Sequence, residues 1–221
     1  MQTKKFLHLL IAIPFLAFCV SCNNEDDYIN DEPLPSNPIV IIYENDVHCV
    51  VDGYAKLATI REQQKTLTPY VTTVSCGDFI QGDVVGAIST GGHIIDIMNL
   101  VEYDFVTLGN REFDFGVPRM FELTEKLNAQ VIDANFRHIP TNTPVFPAYE
   151  IVTYEDVDIA YIGLTTTSTL STSPKKFQNE SGAFIYDFSK NTFYETAQRH
   201  INQARQEGAD YIVVLSHLGN E

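Results

Sequence analysis

The sequence predicts an α/β domain built on a parallel sheet. Strand-like and helix-like segments alternate from Ile39 to Asp133, the pattern of repeated βαβ units. The strand-like segments are short continuous apolar or β-branched runs, as expected where both faces of a sheet are covered. Chemically capable residues fall just after the strand ends: Asp46 and His48, then Asp78, then Asn110. Open α/β sheets form their sites at the carboxyl ends of strands, so this repeated placement points to one site.

The elements follow in order. Pro38 to Tyr43 reads as the first strand, and Gly53 to Leu67 as a helix with Tyr54, Leu57, Ala58 and Ile60 at helical spacing. Pro69 to Val74 is the second strand, and His93 to Leu100 a helix with Ile94, Ile97 and Met98 on one face. Phe105 to Leu108 is the third strand, Val117 to Leu127 a helix with Pro118 in its first turn, and Gln130 to Asp133 the fourth strand. Ala148–Tyr154 and Val157–Leu164 then read as a hairpin turned at Glu155-Asp156. The Thr- and Ser-rich stretch from Thr165 to Ser181 reads as a loop. Thr192 to Gln206 is an amphipathic helix with Phe193, Ala197, Ile201 and Ala204 inward and Gly208 as its stop. Tyr211 to Leu215 is a last buried strand with Ser216-His217 at its end.

Ahead of this domain stands an export signal. Lys4 and Lys5 precede an apolar run from Phe6 to Val20, and small Ser21 precedes Cys22. The run is shorter than the ~20 residues a spanning helix needs. Phe18-Cys19-Val20-Ser21-Cys22 resembles a bacterial lipobox, which makes residues 1–22 a lipoprotein signal peptide and Cys22 the acylated residue. Residues 23–38, with Glu25-Asp26-Asp27, Pro33, Pro35 and Pro38, read as an acidic flexible tether, leaving 39–221 as the folded domain. The acidic run after Cys22 resembles the surface-export signal of Bacteroidetes lipoproteins; a plain solvated linker has the same composition. The expected location is the bacterial cell envelope, with the protein held to a membrane by lipid.

The chain carries 14 basic and 29 acidic residues, a net charge of −15. Such a surface does not hold a nucleic acid, because phosphate contacts need Lys and Arg. It still accepts a phosphate ester where bound cations supply positive charge locally. Cys49 and Cys76 are expected as buried free thiols, with a disulfide possible in an oxidising compartment.

Four segments carry the chemistry: Asn45-Asp46-Val47-His48, Gly77-Asp78, Gly109-Asn110-Arg111-Glu112 and Ser216-His217-Leu218-Gly219. Asp46 and His48 are two apart, so in an extended strand end both side chains point one way. Asp78 has two oxygens for bridging two cations, Asn110 an amide oxygen and His217 a ring nitrogen. Oxygen and imidazole donors without thiolate suit Zn, Mn or Fe(II), with Mg less favoured. Singly each motif is weak, since Gly-Asp and Gly-Asn are common turn dipeptides and a lone histidine is more often packed than ligating.

Together with Gly53-Tyr54-Ala55-Lys56-Leu57, the run Gly77 to Gly82, the run Leu108 to Gly116, and Asp133-Ala134-Asn135-Phe136, these segments resemble the 5'-nucleotidase branch of the calcineurin-like metallophosphoesterases. The resemblance covers Ile39 to the end. It implies a four-layer αββα sandwich, incomplete at the C-terminus, and a centre of two divalent metal ions. By that likeness Asp46 and His48 bind one metal, Asp78 bridges, and Asn110 and His217 bind the other. The activity implied is hydrolysis of nucleotides or other phosphoesters: 5'-nucleotidase, UDP-sugar hydrolase or 2',3'-cyclic phosphodiesterase. Nothing in the residues fixes the oligomeric state.

Two departures from the family pattern stand out. Arg111 occupies the place of a histidine that, assisted by the aspartate matching Asp114, stabilises the transition state. An arginine cannot give up a proton usefully, yet offers a fixed positive fork to phosphoryl oxygens. Arg111 and Asp114 are therefore the candidate catalytic residues, and a surface ion pair of Arg111 with Glu112 or Asp114 is the bland alternative. The family's later Gly-His-x-His segment, one further ligand for each metal, does not occur before Glu221. These departures leave open an impaired or non-catalytic surface lipoprotein that keeps the fold. His93 and His200 are expected as solvated or packed, and His138 as a loop residue.

Overall fold

The computed structural model describes residues 37–219; the expected signal, the expected lipobox at Cys22 and most of the expected tether lie outside them. The tether's end is described, and Asn37 donates to Glu155 Oε1 at 3.2 Å.

The first half forms a parallel sheet in the order β1 (Val40–Glu44), β2 (Val71–Ser75), β3 (Phe105–Val106), β4 (Gln130–Val131). Its crossovers are α1 (Val51–Lys65), the short α2 (Val84–Ser89), α3 (Gly92–Val101) and α4 (Val117–Lys126). Pro118 sits in the first turn of α4, where its missing N–H costs nothing. These helices bury Tyr54 and Leu57, Ile94, Ile95, Met98 and Val101, and Val117, Met120 and Leu123 against Val106, Leu108 and Val131 of the sheet side. Ile60, expected inward, is 46% exposed, because the buried face of α1 runs through Tyr54, Leu57 and Arg61 instead.

A small antiparallel sheet follows, with β5 (Arg137–His138) central between β6 (Thr143–Pro144) and β9 (Tyr186–Asp187). The second large sheet has the order β10-β8-β7, with β7 (Tyr149–Tyr154) and β8 (Val157–Thr165) as the expected hairpin. β10 (Tyr211–His217) runs parallel to β8 after the helix α6 (Phe193–Gln206).

The layers follow from where alternate residues of β8 point. Ile159 and Tyr161 pack with Val74, Phe105, Ile132 and Leu215 between the two large sheets, and the Phe105 and Tyr161 rings stack at 5.0 Å. Ala160, Ile162 and Leu164 face the other way, towards Ala197, Ile201 and Ala204 of α6 and their neighbours. Both faces of β8 are thus covered, which is why its sequence reads as a continuous apolar run. The stack is helices, sheet, sheet, helix: the αββα sandwich. At Gly163 the sheets come so close that an added Cβ would lie 1.9 Å from the Ile132 carbonyl oxygen. Only glycine fits there.

The Thr165–Ser181 stretch is more ordered than a plain loop. Thr165 ends β8, Thr169–Thr172 forms the helical turn α5, and Pro174–Phe177 a 3-10 turn. Phe177 is fully buried against Phe113 and Phe188, at ring-centroid distances of 5.1 and 5.4 Å. One large apolar residue suffices to pin a segment whose composition otherwise reads as solvated. Among the described helices none is long and apolar enough to cross a membrane.

Candidate metal centre

The carboxyl ends of β1, β2, β3 and β10 meet at one edge of the sandwich. The chain leaves β1 at Glu44 and turns left-handed: φ is +57° at Asp46, +48° at His48 and +66° at Cys49. The strand-alternation reason for pairing Asp46 with His48 is therefore wrong, although the two do meet, with His48 Nε2 3.4 Å from Asp46 Oδ1. What brings them together is a turn tied to its neighbour by main-chain bonds, Asp46 N–H to the Gly77 carbonyl (3.1 Å) and His48 N–H to the Asp78 carbonyl (3.0 Å). Asp78 is itself left-handed, φ +60°. Non-glycine residues rarely adopt this region, and such positions concentrate at functional sites.

Asp78 is the hub. Its Oδ1 accepts the Arg111 N–H at 2.8 Å, while its Oδ2 lies 3.7 Å from His48 Nε2 and 3.5 Å from His217 Nε2. One ligand atom each of Asp46, His48 and Asp78 lie within 4.8 Å of one another. Both imidazoles are oriented from behind. His48 Nδ1 faces the Gln81 carbonyl and His217 Nδ1 the Cys76 carbonyl, each at 2.9 Å. That leaves Nε2 of each ring turned to the centre, the arrangement by which a second partner fixes a ligating histidine. Asn110 Oδ1 lies 3.3 Å from His217 Nε2. Asp46, Asp78, Asn110 and His217 line a cleft of about 240 Å³ together with Thr166 and Ser168.

Burial pushes the Asp78 carboxyl up, but His217, the Arg111 N–H and His48 outweigh it and hold the carboxyl below its usual range. Burial pushes His217 down, yet the Asp78 carboxylate beside it prevails and raises the ring to about 9. The pair thus carries opposite charges.

Glu112 was missed from the sequence as a structural part of this site. It is buried, not at the surface beside Arg111. Its carboxylate accepts the N–H groups of Asp78 (2.8 Å), Phe79 (2.8 Å), Ile80 (3.3 Å) and Gly109 (2.6 Å). It locks the β2 loop to the β3 loop and so fixes the backbone of Asp78. Gly109 permits this approach, since a Cβ there would lie 2.2 Å from Asp78 Oδ1.

Arg111 pairs with Asp114, Nη1 to Oδ2 at 3.3 Å, and Asp114 also receives Lys176 Nζ at Oδ1, 3.1 Å. Lys176 gave no sequence signal, being one charge in a polar stretch. The remaining expectations resolve elsewhere. Cys49 donates to the Phe79 carbonyl at 3.2 Å inside the helix-side core, and Cys76 packs between the sheets. They are free thiols in different layers, Cys49 buried as expected and Cys76 only partly so. His138 belongs to β5, with its ring 5.2 Å from Tyr186 and Nδ1 2.8 Å from Thr141. His93 is exposed and His200 half-buried against Tyr149.

A scan against models of protein families gives no match. The chain is 33% identical over 173 residues to an NAD 5'-nucleotidase of Haemophilus influenzae, covering 76% of this chain and 26% of that protein. It is 25% identical over 209 residues to the 5'-nucleotidase of Bos taurus, covering 83% and 34%. The chain therefore spans about a quarter to a third of the length of these curated relatives. Among solved structures, the calcineurin-like phosphoesterase YfkN of Bacillus subtilis superposes with a TM-score of 0.68 at 24% identity, over 83% of this chain and 63% of that one. The NAD nucleotidase of Haemophilus influenzae superposes with a TM-score of 0.66 at 25% identity, over 82% and 34%. In sequence and in fold alike, the chain belongs to the 5'-nucleotidase family of calcineurin-like phosphoesterases.

Proposed function

We propose that the protein is a metal-dependent phosphoesterase that hydrolyses nucleotides, held at the bacterial envelope by lipid on Cys22. The observation that carries the first part is the convergence of His48, His217 and Asn110 on the buried carboxylate of Asp78, with Asp46 beside His48. This donor set fits divalent cations. It is oxygen and imidazole without thiolate, its rings are held by backbone carbonyls, and a buried carboxylate with one oxygen turned inward lies between them. Asp46 and His48 would hold one ion, Asn110 and His217 the other, and Asp78 both; Zn, Mn or Fe(II) suits them, and Mg is admissible. Bound there, two such ions supply Lewis acidity toward water and toward phosphoryl oxygens.

The chain's own residues do the rest. Glu112 and the Arg111 N–H hold Asp78 so that only Oδ2 faces the cleft. The Arg111 guanidinium, half-exposed at the rim, presents positive charge to the equatorial oxygens of the phosphoryl group. It cannot protonate a leaving group, since it stays charged at any working pH. The departing oxygen must leave as the anion or take its proton from water. This favours substrates with good leaving groups and predicts slow turnover of simple monophosphates.

The test is phosphate release from 5'-AMP, a UDP-sugar and a 2',3'-cyclic nucleotide, with and without Mn²⁺, for the protein and for Arg111→His. A rise of about tenfold or more with 5'-AMP in the variant is expected, in the range of general acid catalysis. Equal turnover by both forms would show that position 111 does not limit the reaction. A second reading, a lipoprotein that keeps the fold without turnover, is favoured by the ion pair that engages Arg111 with Asp114; absence of bound metal together with absence of phosphate release would establish it.

A further inference from the structure

We infer that Glu44, Tyr54 and Tyr103 enclose a cation site of their own, apart from the metal centre, and that it takes a monovalent alkali ion such as Na⁺ or K⁺. The site lies on the helix side of the first sheet: Glu44 follows Ile42 by two residues on β1, and Ile42 packs there with Tyr54 and Tyr103.

The first observation is a contrast among buried carboxylates. Glu112 accepts four main-chain N–H groups. Asp133 accepts two, with the Thr165 hydroxyl beside it. Asp78 accepts the Arg111 N–H and has two imidazoles next to it. Glu44 is the exception. Both of its carboxylate oxygens are buried, and among the described residues neither has a hydrogen-bond partner. A carboxylate taken out of water without a partner is strongly disfavoured.

The second observation is that the oxygens around it are unanswered too. The Tyr54 and Tyr103 hydroxyls are buried without partners. Tyr54 comes from α1 and Tyr103 from the turn after α3, and their rings meet edge to face at 6.4 Å. Burial, and then the Glu44 charge, keeps both hydroxyls protonated, so each offers a neutral oxygen. Ser75 pairs with Glu44 across β1 and β2, and its hydroxyl lies beside the carboxylate. Oxygens that gather without bonding one another are arranged as ligands of something between them. Oxygen alone, with no imidazole or thiolate, selects a hard cation.

The charge decides between an ion and a water. A buried water satisfies hydroxyls but leaves the carboxylate's charge standing, and Glu112 and Asp46 add negative charge from nearby. One carboxylate among neutral oxygens matches one positive charge, whereas a divalent ion finds a richer set at Asp46, His48 and Asp78. The Glu44 carbonyl also accepts the Cys76 N–H at 2.9 Å, so an ion here braces the end of β1 from which Asp46 departs.

The test measures thermal midpoints of the full chain in EDTA, in NaCl, KCl and choline chloride at one ionic strength, for the unaltered protein, Glu44→Gln and Asp46→Asn. The expected midpoint of the unaltered protein rises as Na⁺ or K⁺ replaces choline, by about 3–5 °C for each tenfold step above the dissociation constant. Glu44→Gln loses this dependence and is at least as stable as the parent in choline, because the amide carries no charge. Asp46→Asn keeps the dependence, which separates this site from the metal centre. Crystals of the unaltered protein soaked in RbCl should show anomalous density between the Glu44 carboxylate and the two phenol oxygens, a readout that needs no variant. One midpoint in all three salts, an equal dependence in Glu44→Gln, loss of the dependence in Asp46→Asn, or no rubidium beside Glu44 overturns the inference; the phosphoesterase reading stands or falls separately.

Discussion

Asp133 gives the sharpest test of the packing behind the site. It is fully buried, and its Oδ1 accepts the N–H groups of Asn135 (3.0 Å) and Phe136 (2.9 Å). Its Oδ2 lies 2.6 Å from the Thr165 hydroxyl, which also lies 2.5 Å from the Leu108 carbonyl oxygen. The hydroxyl has one proton for two acceptors, and the carbonyl can only accept. If Thr165 donates to Leu108, the contact with Asp133 needs a proton on the carboxyl. Burial pushes the Asp133 carboxyl up to about 6 from 3.8, against the pull of the Thr165 hydroxyl and the two N–H groups. The folded state then binds a proton that the unfolded state has released between those two values. Stability contributed by the protonated form is complete below the unfolded value and is lost as pH rises through the folded one. The ionised carboxylate costs the fold about 3 kcal/mol at neutral pH, and linkage places most of that change, roughly 2 kcal/mol, between pH 4 and pH 7.5. Asp133→Asn mimics the protonated acid: the amide N–H donates to Thr165 and the amide oxygen keeps both main-chain bonds. The second amide N–H has no evident partner and costs about 1–3 kcal/mol at every pH. Urea unfolding of both proteins at the two pH values separates the effects. The variant should gain roughly 2 kcal/mol on the parent between pH 4 and pH 7.5, whatever its offset at either. A difference between the two proteins that is constant across this range would refute the raised carboxyl and the proton count at Thr165 together.

Two further substitutions probe the scaffold of the centre. Gly109→Ala drives a methyl group into Asp78 Oδ1; calorimetry should show loss of Mn²⁺ binding, and thermal unfolding a destabilisation of about 2 kcal/mol or more, in the range of other overpacked sites. Glu112→Ala strips the acceptor from the buried N–H groups of Asp78, Phe79 and Gly109; at about 1–3 kcal/mol for each orphaned donor, chemical denaturation should register a loss of at least about 3 kcal/mol.

The elements were legible where burial imposes a period or a continuous apolar run. β1, β2, α1, α3, α4, the β7–β8 hairpin and α6 all fall within a few residues of expectation, and Phe193, Ala197, Ile201 and Ala204 do pack inward. That Asp46, His48, Asp78, Asn110 and His217 come close to one another was legible because they share strand ends. How the chain presents them was not. The left-handed turns at Asp46 and His48 carry no glycine to announce them, and two-residue spacing mimics a strand. Glu112 sits between two charged or aromatic neighbours in a polar motif, and only the fold reveals that it feeds four N–H groups. α2 is too short for a helical period, and the two-residue strands β5, β6 and β9 leave no alternation to read. Lys176 owes its place to Phe177, a long-range packing event that no local window contains.

The charge layout of the centre says how it must work with a phosphate. Asp46 and Asp78 put two carboxylates at the cleft, in a chain already at −15. At a few ångströms and reduced dielectric, each repels an incoming phosphate by kilocalories, not tenths. Of the protein's positive groups, the His217 ring lines the cleft beside Asp78, whereas Arg111 and Lys176 are both engaged with Asp114. On the proposed function, cations would have to fill the cleft before a phosphate could enter it. Affinity for phosphate would then depend on bound metal. In that way a strongly acidic chain would serve an anionic substrate without a basic surface.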